Sequence, residues 1–179
     1  TPGQMVFNGL TTPDPVLLHA EFADMRAKGA TACAIEASSI GLAEHRLAGT
    51  QIRTALFTNL TQDHLDYHAS MQDYWLAKRA LFDWPGLQAA VINLDDPTGA
   101  ELAQHCAASG VPVWTVSQLR SDATLIARAV QYTHEGMSFA VREGSQQARV
   151  DCTVVGEYNV SNLLGVIAAL RGLGIALAQ

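Results

Sequence analysis

A doubly wound α/β architecture is expected here: a mostly parallel sheet flanked by helices, with a small antiparallel β segment near 123–154. Three features of the chain predict it. Unbroken apolar runs alternate with helix-like patterns from Asp14 to Val116, polar residues gather where several of those runs end, and after Ala123 the chain turns to shorter alternating pieces around turn residues. Parallel strands buried on both faces read as continuous apolar runs, and each needs a crossover helix to reach the next.

The elements follow in order. Asp14-Pro15 opens a helix, since Asp caps well and Pro suits the first helical position; Leu18, Phe22 and Met25 then repeat at helical spacing until Lys28-Gly29. Ala30 to Ala37 reads as a strand covered on both faces, Ile52 to Leu60 as a second and Ala89 to Leu94 as a third. Between the last two, Ser70 with Asp73 three residues on starts a helix whose apolar side is Tyr74, Trp75, Leu81 and Phe82, stopped by Pro85-Gly86. Asp96-Pro97 starts another through Ser109, and Val113–Val116 is a fourth strand. Ala127–Tyr132, Met137–Val141 and Ala148–Val154 form a meander around His134-Glu-Gly and Glu143-Gly-Ser, before a helix from Asn159 to Leu173 that ends at Gly174.

Composition sets limits on function. The 179 residues are 49% hydrophobic and 16% charged, well under the roughly 25% of an ordinary domain, so a sizeable core is available and disorder is excluded as the main state. A net charge of -6 argues against a broad nucleic-acid or anionic-membrane surface and leaves any phosphate site to be built locally. Cys33, Cys106 and Cys152 are too scattered for a zinc ribbon or disulfide framework and read as buried free thiols, as do Tyr132 and the tryptophans as core. No apolar run approaches the ~18 residues of a membrane span and no Arg/Lys-headed leader is seen, so a cytoplasmic protein is expected.

The polar clusters carry the chemistry. Glu36-Ala-Ser38-Ser39, the block from Thr58-Asn59 to His68, and Asn93-Leu-Asp95-Asp96 each follow a strand, where doubly wound sheets bind ligands, and should face one crevice. Glu36 alone could simply cap a helix. His64 and His68 at i, i+4 would share a helix face and could bind a metal; carboxylates with one imidazole suit Mg²⁺, while Zn²⁺ would want more nitrogen or sulfur. Lys78 stands among Tyr74, Trp75, Leu81 and Phe82, where desolvation would favour a neutral, reactive amine, although a mid-helix lysine usually snorkels. Arg46 could clamp a carboxylate or phosphate, or lie in a surface turn.

Together these clusters resemble the central domain of the Mur ligases, the ATP-dependent amide-bond-forming enzymes of peptidoglycan precursor synthesis, and most of all the branch that adds the third residue. The likeness runs in order through Thr11-Thr12-Pro13, Glu36-Ala-Ser38-Ser39 with His45-Arg46, Thr58-Asn59 to Asp63-His64-Leu-Asp-Tyr-His68, Tyr74 with Lys78, Asn93-x-Asp95-Asp96 and Gly156-Glu-Tyr158-Asn159-Val-x-Asn162. The resemblance implies a P-loop-NTPase-like central domain. It implies Glu36, His64 and a carbamylated Lys78 as Mg²⁺ ligands, His64 and Lys78 as catalytic, Thr11, Thr12, Ser38, Glu44 and Arg46 as holders of UDP-MurNAc-L-Ala-D-Glu, and Asn59, Asn159 and Asn162 as contacts to ATP. The implied reaction passes through an acyl phosphate attacked by meso-diaminopimelate or L-lysine.

The chain departs from the family in two places. No Gly-Lys-Thr/Ser loop occurs in it, and Leu10 stands where the family commonly has asparagine. The chain is therefore expected to be a partial central domain without the P-loop strand and the amino- and carboxy-terminal domains, inactive alone and part of a monomeric enzyme. A folylpolyglutamate-synthetase-like ligase, a non-catalytic nucleotide- or UDP-sugar-binding module, and a zinc hydrolase using His64 and His68 remain as alternatives.

Overall fold

The computed structural model describes residues 9–63 and 65–178. They divide into two compact units, one of residues 52–61 with 82–178 and the other of residues 9–51 with 62–63 and 65–81.

The first unit is built on a six-stranded sheet in the order β1-β2-β3-β4-β5-β6. Its strands are β1 (Thr54–Phe57), β2 (Ala89–Asn93), β3 (Val113–Ser117), β4 (Leu125–Thr133), β5 (Gly136–Glu143) and β6 (Gln146–Cys152). β1 to β4 pair in parallel, and β4-β5-β6 form the expected antiparallel meander, with a register shift between Arg128 and Gln131 where Ala129 takes a positive φ of 54°. Helices cover both faces of the parallel part. Because side chains alternate along a strand, Val91 and its register mate Leu56 face one way while Ala90 and Ile92 face the other.

The helix following β6 (Glu157–Gly172) packs on the Val91 side. Its Val160, Leu164 and Ala168, spaced by four, join Val91, Val116, Leu125, Phe139 and Val141 in one core. Small residues let it approach: a Cβ on Gly172 would come within 2.9 Å of Ala89 Cβ, and one on Gly165 within 3.0 Å of Leu56 Cδ1. Leu164 is fully buried, so Leu164→Ala should lower unfolding free energy by about 3–5 kcal/mol through lost transfer energy and the cavity left behind, read by denaturant titration. The helix Gly99–Ala108 buries Leu102 and Cys106. Burial, with the Asp83 carboxylate nearby, pushes the Cys106 thiol up to about 11, which makes it an inert packing group.

The second unit holds three helices: Pro15–Ala27, Ser39–Ala43 and Met71–Arg79. With the two above, the helices are, in chain order, α1 (Pro15–Ala27), α2 (Ser39–Ala43), α3 (Met71–Arg79), α4 (Gly99–Ala108) and α5 (Glu157–Gly172). Asp14 caps α1 by accepting from Val16 and Leu17 N–H, as its sequence predicts. Ser70 accepts the Asp73 N–H and donates to the Asp73 carboxylate, which fixes the start of α3; a short 3₁₀ turn at Ala80–Asp83 follows it.

Several expectations are corrected. Ala30–Ala37 forms no strand, and Ala32, Cys33 and Ala34 are exposed; an apolar run becomes a strand only with a pairing neighbour, and none of the described strands pairs with it. Cys33 is thus not a buried thiol, and Cys152 is only half-buried. Tyr132 is 54% exposed beside the β4–β5 turn rather than in the core. The run from Ile52 to Leu60 pairs only over Thr54–Phe57. The five-residue helix α2 has too few residues for a periodic signal and was not expected from the sequence. Among the described residues, no helix is long and apolar enough to cross a membrane.

Candidate active site

In the second unit a hydrogen-bonded knot joins Thr12, Glu36, Ser38 and Arg46. Thr12 is fully buried. Its hydroxyl donates to the Glu36 carbonyl at 2.8 Å and accepts the Ser38 N–H at 3.0 Å. With that single proton committed, Ser38 Oγ must donate to Thr12 Oγ1 across 3.0 Å, and its own lone pair accepts the Gly41 N–H at 3.0 Å, capping α2. Gly41 is required there, because a Cβ would lie 2.7 Å from Thr12 Cβ. The Thr12 hydroxyl is therefore saturated within the protein, whereas its neighbour Thr11 is exposed.

Arg46 completes the knot. Its Nη1 donates to the Thr12 carbonyl at 3.0 Å, while Nε and Nη2 donate to Glu44 Oε2 at 2.8 and 2.6 Å. The Arg46 side chain is 17% exposed and that of Glu44 41%, so the fork sits near the surface with a carboxylate already seated in it. Between them His45 adopts a left-handed φ of 57°, which turns the chain back after α2 and aims both side chains the same way. Tyr67 adjoins this pair: partial burial, then the charge and hydrogen bond of Glu44, raise its phenol above the ordinary value, with Arg46 opposing. It remains a neutral donor at physiological pH.

A second line of contacts leads from α2 to Lys78. Ser39 and His68 are buried and share a hydrogen bond of 2.9 Å between Oγ and Nε2. The His68 ring lies edge-on to Tyr67 at 5.0 Å and tilted against Tyr74 at 5.3 Å. Lys78 Nζ in turn stands 5.0 Å from the centroid of the Tyr74 ring. Tyr74 and Trp75 are buried and Lys78 half-buried, so the bulky setting expected of that lysine is present.

This arrangement gives the zinc-hydrolase alternative no support at His68. Residues 65–70 are turns and bends, and His68 Nε2 is engaged with Ser39 Oγ. The call on His64 lies outside the described residues. Glu36 is exposed; a carboxylate and a lysine carbamate would be hard oxygen donors of the kind Mg²⁺ takes, and Mg²⁺ is usually held by one or two such groups with phosphate oxygens and water. Among the described residues, which leave out His64, no group of three or more His, Cys, Asp or Glu could by itself hold a metal ion.

In the sheet unit one predicted nucleotide residue, Asn59, lies on a loop held by the Asn-x-Asp-Asp block, and the other two lie in α5. Asn93 Nδ2 donates to the Thr58 carbonyl at 2.9 Å and Asp96 Oδ2 accepts the Leu60 N–H at 2.7 Å, so the exposed Asn59 is bracketed on both sides. Asp96 Oδ1 also accepts from Thr98 N–H and hydroxyl, at 2.9 and 2.5 Å, ahead of α4. Asn159 Nδ2 donates to the Val155 carbonyl at 2.8 Å and Asn162 is exposed, both in the first turns of α5. Sequence reasoning missed Ser39, Tyr67 and Gln118 as supports of these groups. Ser39 and Gln118 act through contacts with residues 29 and 43 positions away, which no local pattern reveals.

Comparison with known proteins adds the following. The family model described as the Mur ligase middle domain matches residues 1–170. A UDP-N-acetylmuramoyl-L-alanyl-D-glutamate–2,6-diaminopimelate ligase of Acidovorax sp. (strain JS42) is 56% identical over 178 residues, 99% of this chain and 35% of its own length. The ligase of the same name from Janthinobacterium sp. (strain Marseille) is 46% identical over 181 residues, 98% of this chain and 36% of its own. A solved structure with that ligase's name superimposes with a TM-score of 0.86 at 32% identity, over 93% of this chain and 34% of the other. The chain thus spans about a third of the length of the relatives it matches.

Proposed function

This chain belongs to the Mur ligase middle-domain family, and on that premise we propose that it is the central portion of a longer ATP-dependent enzyme that joins meso-diaminopimelate to UDP-MurNAc-L-Ala-D-Glu. The observation that carries the proposal is the Arg46 fork built on Thr12 and Ser38, in a chain 56% identical to a ligase of that name. In this reading the whole enzyme is cytoplasmic and monomeric.

The residues divide the work. Arg46 and the exposed Thr11 bind the anionic muramoyl-dipeptide, with Glu44 and Tyr67 orienting the guanidinium and Thr12 and Ser38 fixing the backbone beneath it. Asn59, Asn159 and Asn162 contact ATP. Glu36, His64 and a carbamylated Lys78 would hold Mg²⁺, which when bound neutralises the phosphate oxygens during transfer. ATP's γ-phosphoryl group passes to the terminal carboxylate of the dipeptide, releasing ADP; the amine then displaces phosphate and loses a proton as the amide forms. Both steps gather anionic oxygens, so a site that prearranges cations and donors lowers their barriers.

The test is phosphate release by the full-length gene product with ATP, the UDP-MurNAc-dipeptide and each candidate amine. Turnover is expected with meso-diaminopimelate and much less with L-lysine; absence of ATP-dependent amide formation with any amine would refute the proposal. The sequence printed here has no Gly-Lys-Thr/Ser loop, so its 179 residues alone are expected to release no phosphate under the same conditions.

A further inference from the structure

α5 begins without a cap of its own. Its N-cap is Gly156, at φ 111°, which has no side chain to accept from the first-turn N–H groups. A tether arrives instead from the loop after β3. Gln118 Nε2 donates to the Glu157 carbonyl at 3.1 Å and to Ser161 Oγ at 2.8 Å. Because a carbonyl can only accept, the amide nitrogen must face it, and both of its hydrogens are then used.

Gln118 is itself fixed on both sides of its backbone. Its N–H donates to Asp95 Oδ2 at 2.8 Å and its carbonyl accepts from Arg128 Nη1 at 3.0 Å. Asp95 also accepts the Ser117 hydroxyl, and its own N–H is held by Asn93 Oδ1 at 3.0 Å. A continuous hydrogen-bonded path therefore runs from the end of β2, across the end of β3, to the first turn of α5. Glu157 and Ser161 are one helical turn apart and share the tethered face, while Asn159 and Asn162 project from other faces of the same turns.

We propose that Gln118 is a positioning residue that sets the rotation and height of the first turn of α5, and so aims Asn159 and Asn162 at the nucleotide. The inference rests on the proposed nucleotide contacts of those two asparagines. The body of α5 is secured separately by buried Leu164 and Ala168, and buried Val160 keeps the first turn against the core, so loss of the tether leaves the helix in place and frees only the rotation of its start.

The experiment uses the full-length protein and measures KM for ATP, KM for the UDP-MurNAc-dipeptide and Tm. Gln118→Ala should raise KM for ATP about tenfold, the loss of a pair of hydrogen bonds, with the dipeptide KM within about twofold and Tm nearly unchanged. Gln118→Glu, equal in size but unable to donate to the Glu157 carbonyl, should behave like alanine. Ser161→Ala should show a smaller rise, and the double variant with Gln118→Ala no further loss, as one shared interaction requires; if Gln118 variants do not fold, Ser161→Ala alone decides. Equal rises in both KM values with a fallen Tm, or a Gln118→Glu that rescues, would overturn the proposal. Asn162→Ala separates the two levels: an unchanged KM for ATP there removes the nucleotide reading and the inference with it, whereas a raised KM there beside an unaffected Gln118→Ala removes the inference alone.

Discussion

Lys78→Ala in the full-length protein is expected to lower ligase turnover about 100-fold or more, the scale seen when one prearranged electrostatic group is removed from a phosphoryl- or acyl-transfer site. α3 holds this lysine firmly. Ser70 and Asp73 cap the helix at its start, and the Tyr74 ring that Lys78 overlies is buried and braced by His68, which Ser39 in turn holds from α2. An exposed, solvated lysine would tolerate truncation with little change. Carbamylation adds CO₂ to the neutral amine with loss of a proton and exchanges a cation for an anion with two oxygens, so the wild-type enzyme should also lose activity in CO₂-depleted buffer and recover it with bicarbonate. Lys78→Ala should show no such response. Alanine at wild-type turnover would remove Lys78 from the mechanism, and a wild-type enzyme indifferent to CO₂ would remove its carbamate. Replacing His68 by Asn should have a smaller effect through a displaced Tyr74 ring.

How much of this was legible in the sequence depends on the range of the interaction. Caps and strand cores are local, and Asp14, Ser70, the run Ala89–Asn93 and the meander turns all behave as their own residues dictate. The apolar run Ala30–Ala37 shows the limit: its composition suits a strand, but strand formation depends on a partner, and the run carries no information about one. The candidate site was legible as residue types and order, because Thr11-Thr12, Ser38 and Arg46 resemble a family block. Its internal logic was not. That Thr12 spends its hydroxyl on Glu36 and Ser38 and its carbonyl on Arg46 follows from contacts between residues 24 to 34 positions apart, and that Glu44 already occupies the Arg46 fork depends on the left-handed turn at His45 between them. The Asn93-x-Asp95-Asp96 block, weak as a motif, proves to be the fastening of two strand-end loops.

Arg46→Ala should reduce kcat/KM for the UDP-MurNAc-dipeptide by about 100-fold while leaving KM for ATP within about twofold. The guanidinium makes charge-assisted bonds from three nitrogens, and losing a charged partner costs ~1.5–3 kcal/mol per bond where the group left behind is shielded. The Thr12 carbonyl would lose its Arg46 donor beneath the site, so part of the defect would come from a shifted Thr11-Thr12 backbone. Arg46→Lys keeps the charge but cannot span the Thr12 carbonyl and a carboxylate at once, and should recover only a small part of the activity. Glu44→Gln discriminates the two contributions. The Glu44–Arg46 pair is partly exposed and so contributes little to stability; a neutral acceptor in its place still orients the fork, and a substrate anion no longer competes with a resident carboxylate. The KM for the dipeptide in Glu44→Gln should therefore stay the same or fall, in contrast to its rise in Arg46→Ala. Steady-state kinetics with the dipeptide varied at saturating ATP and amine would decide it. A wild-type KM in Arg46→Ala would show that the fork is a turn-stabilising contact of α2 and that the muramoyl-dipeptide binds elsewhere.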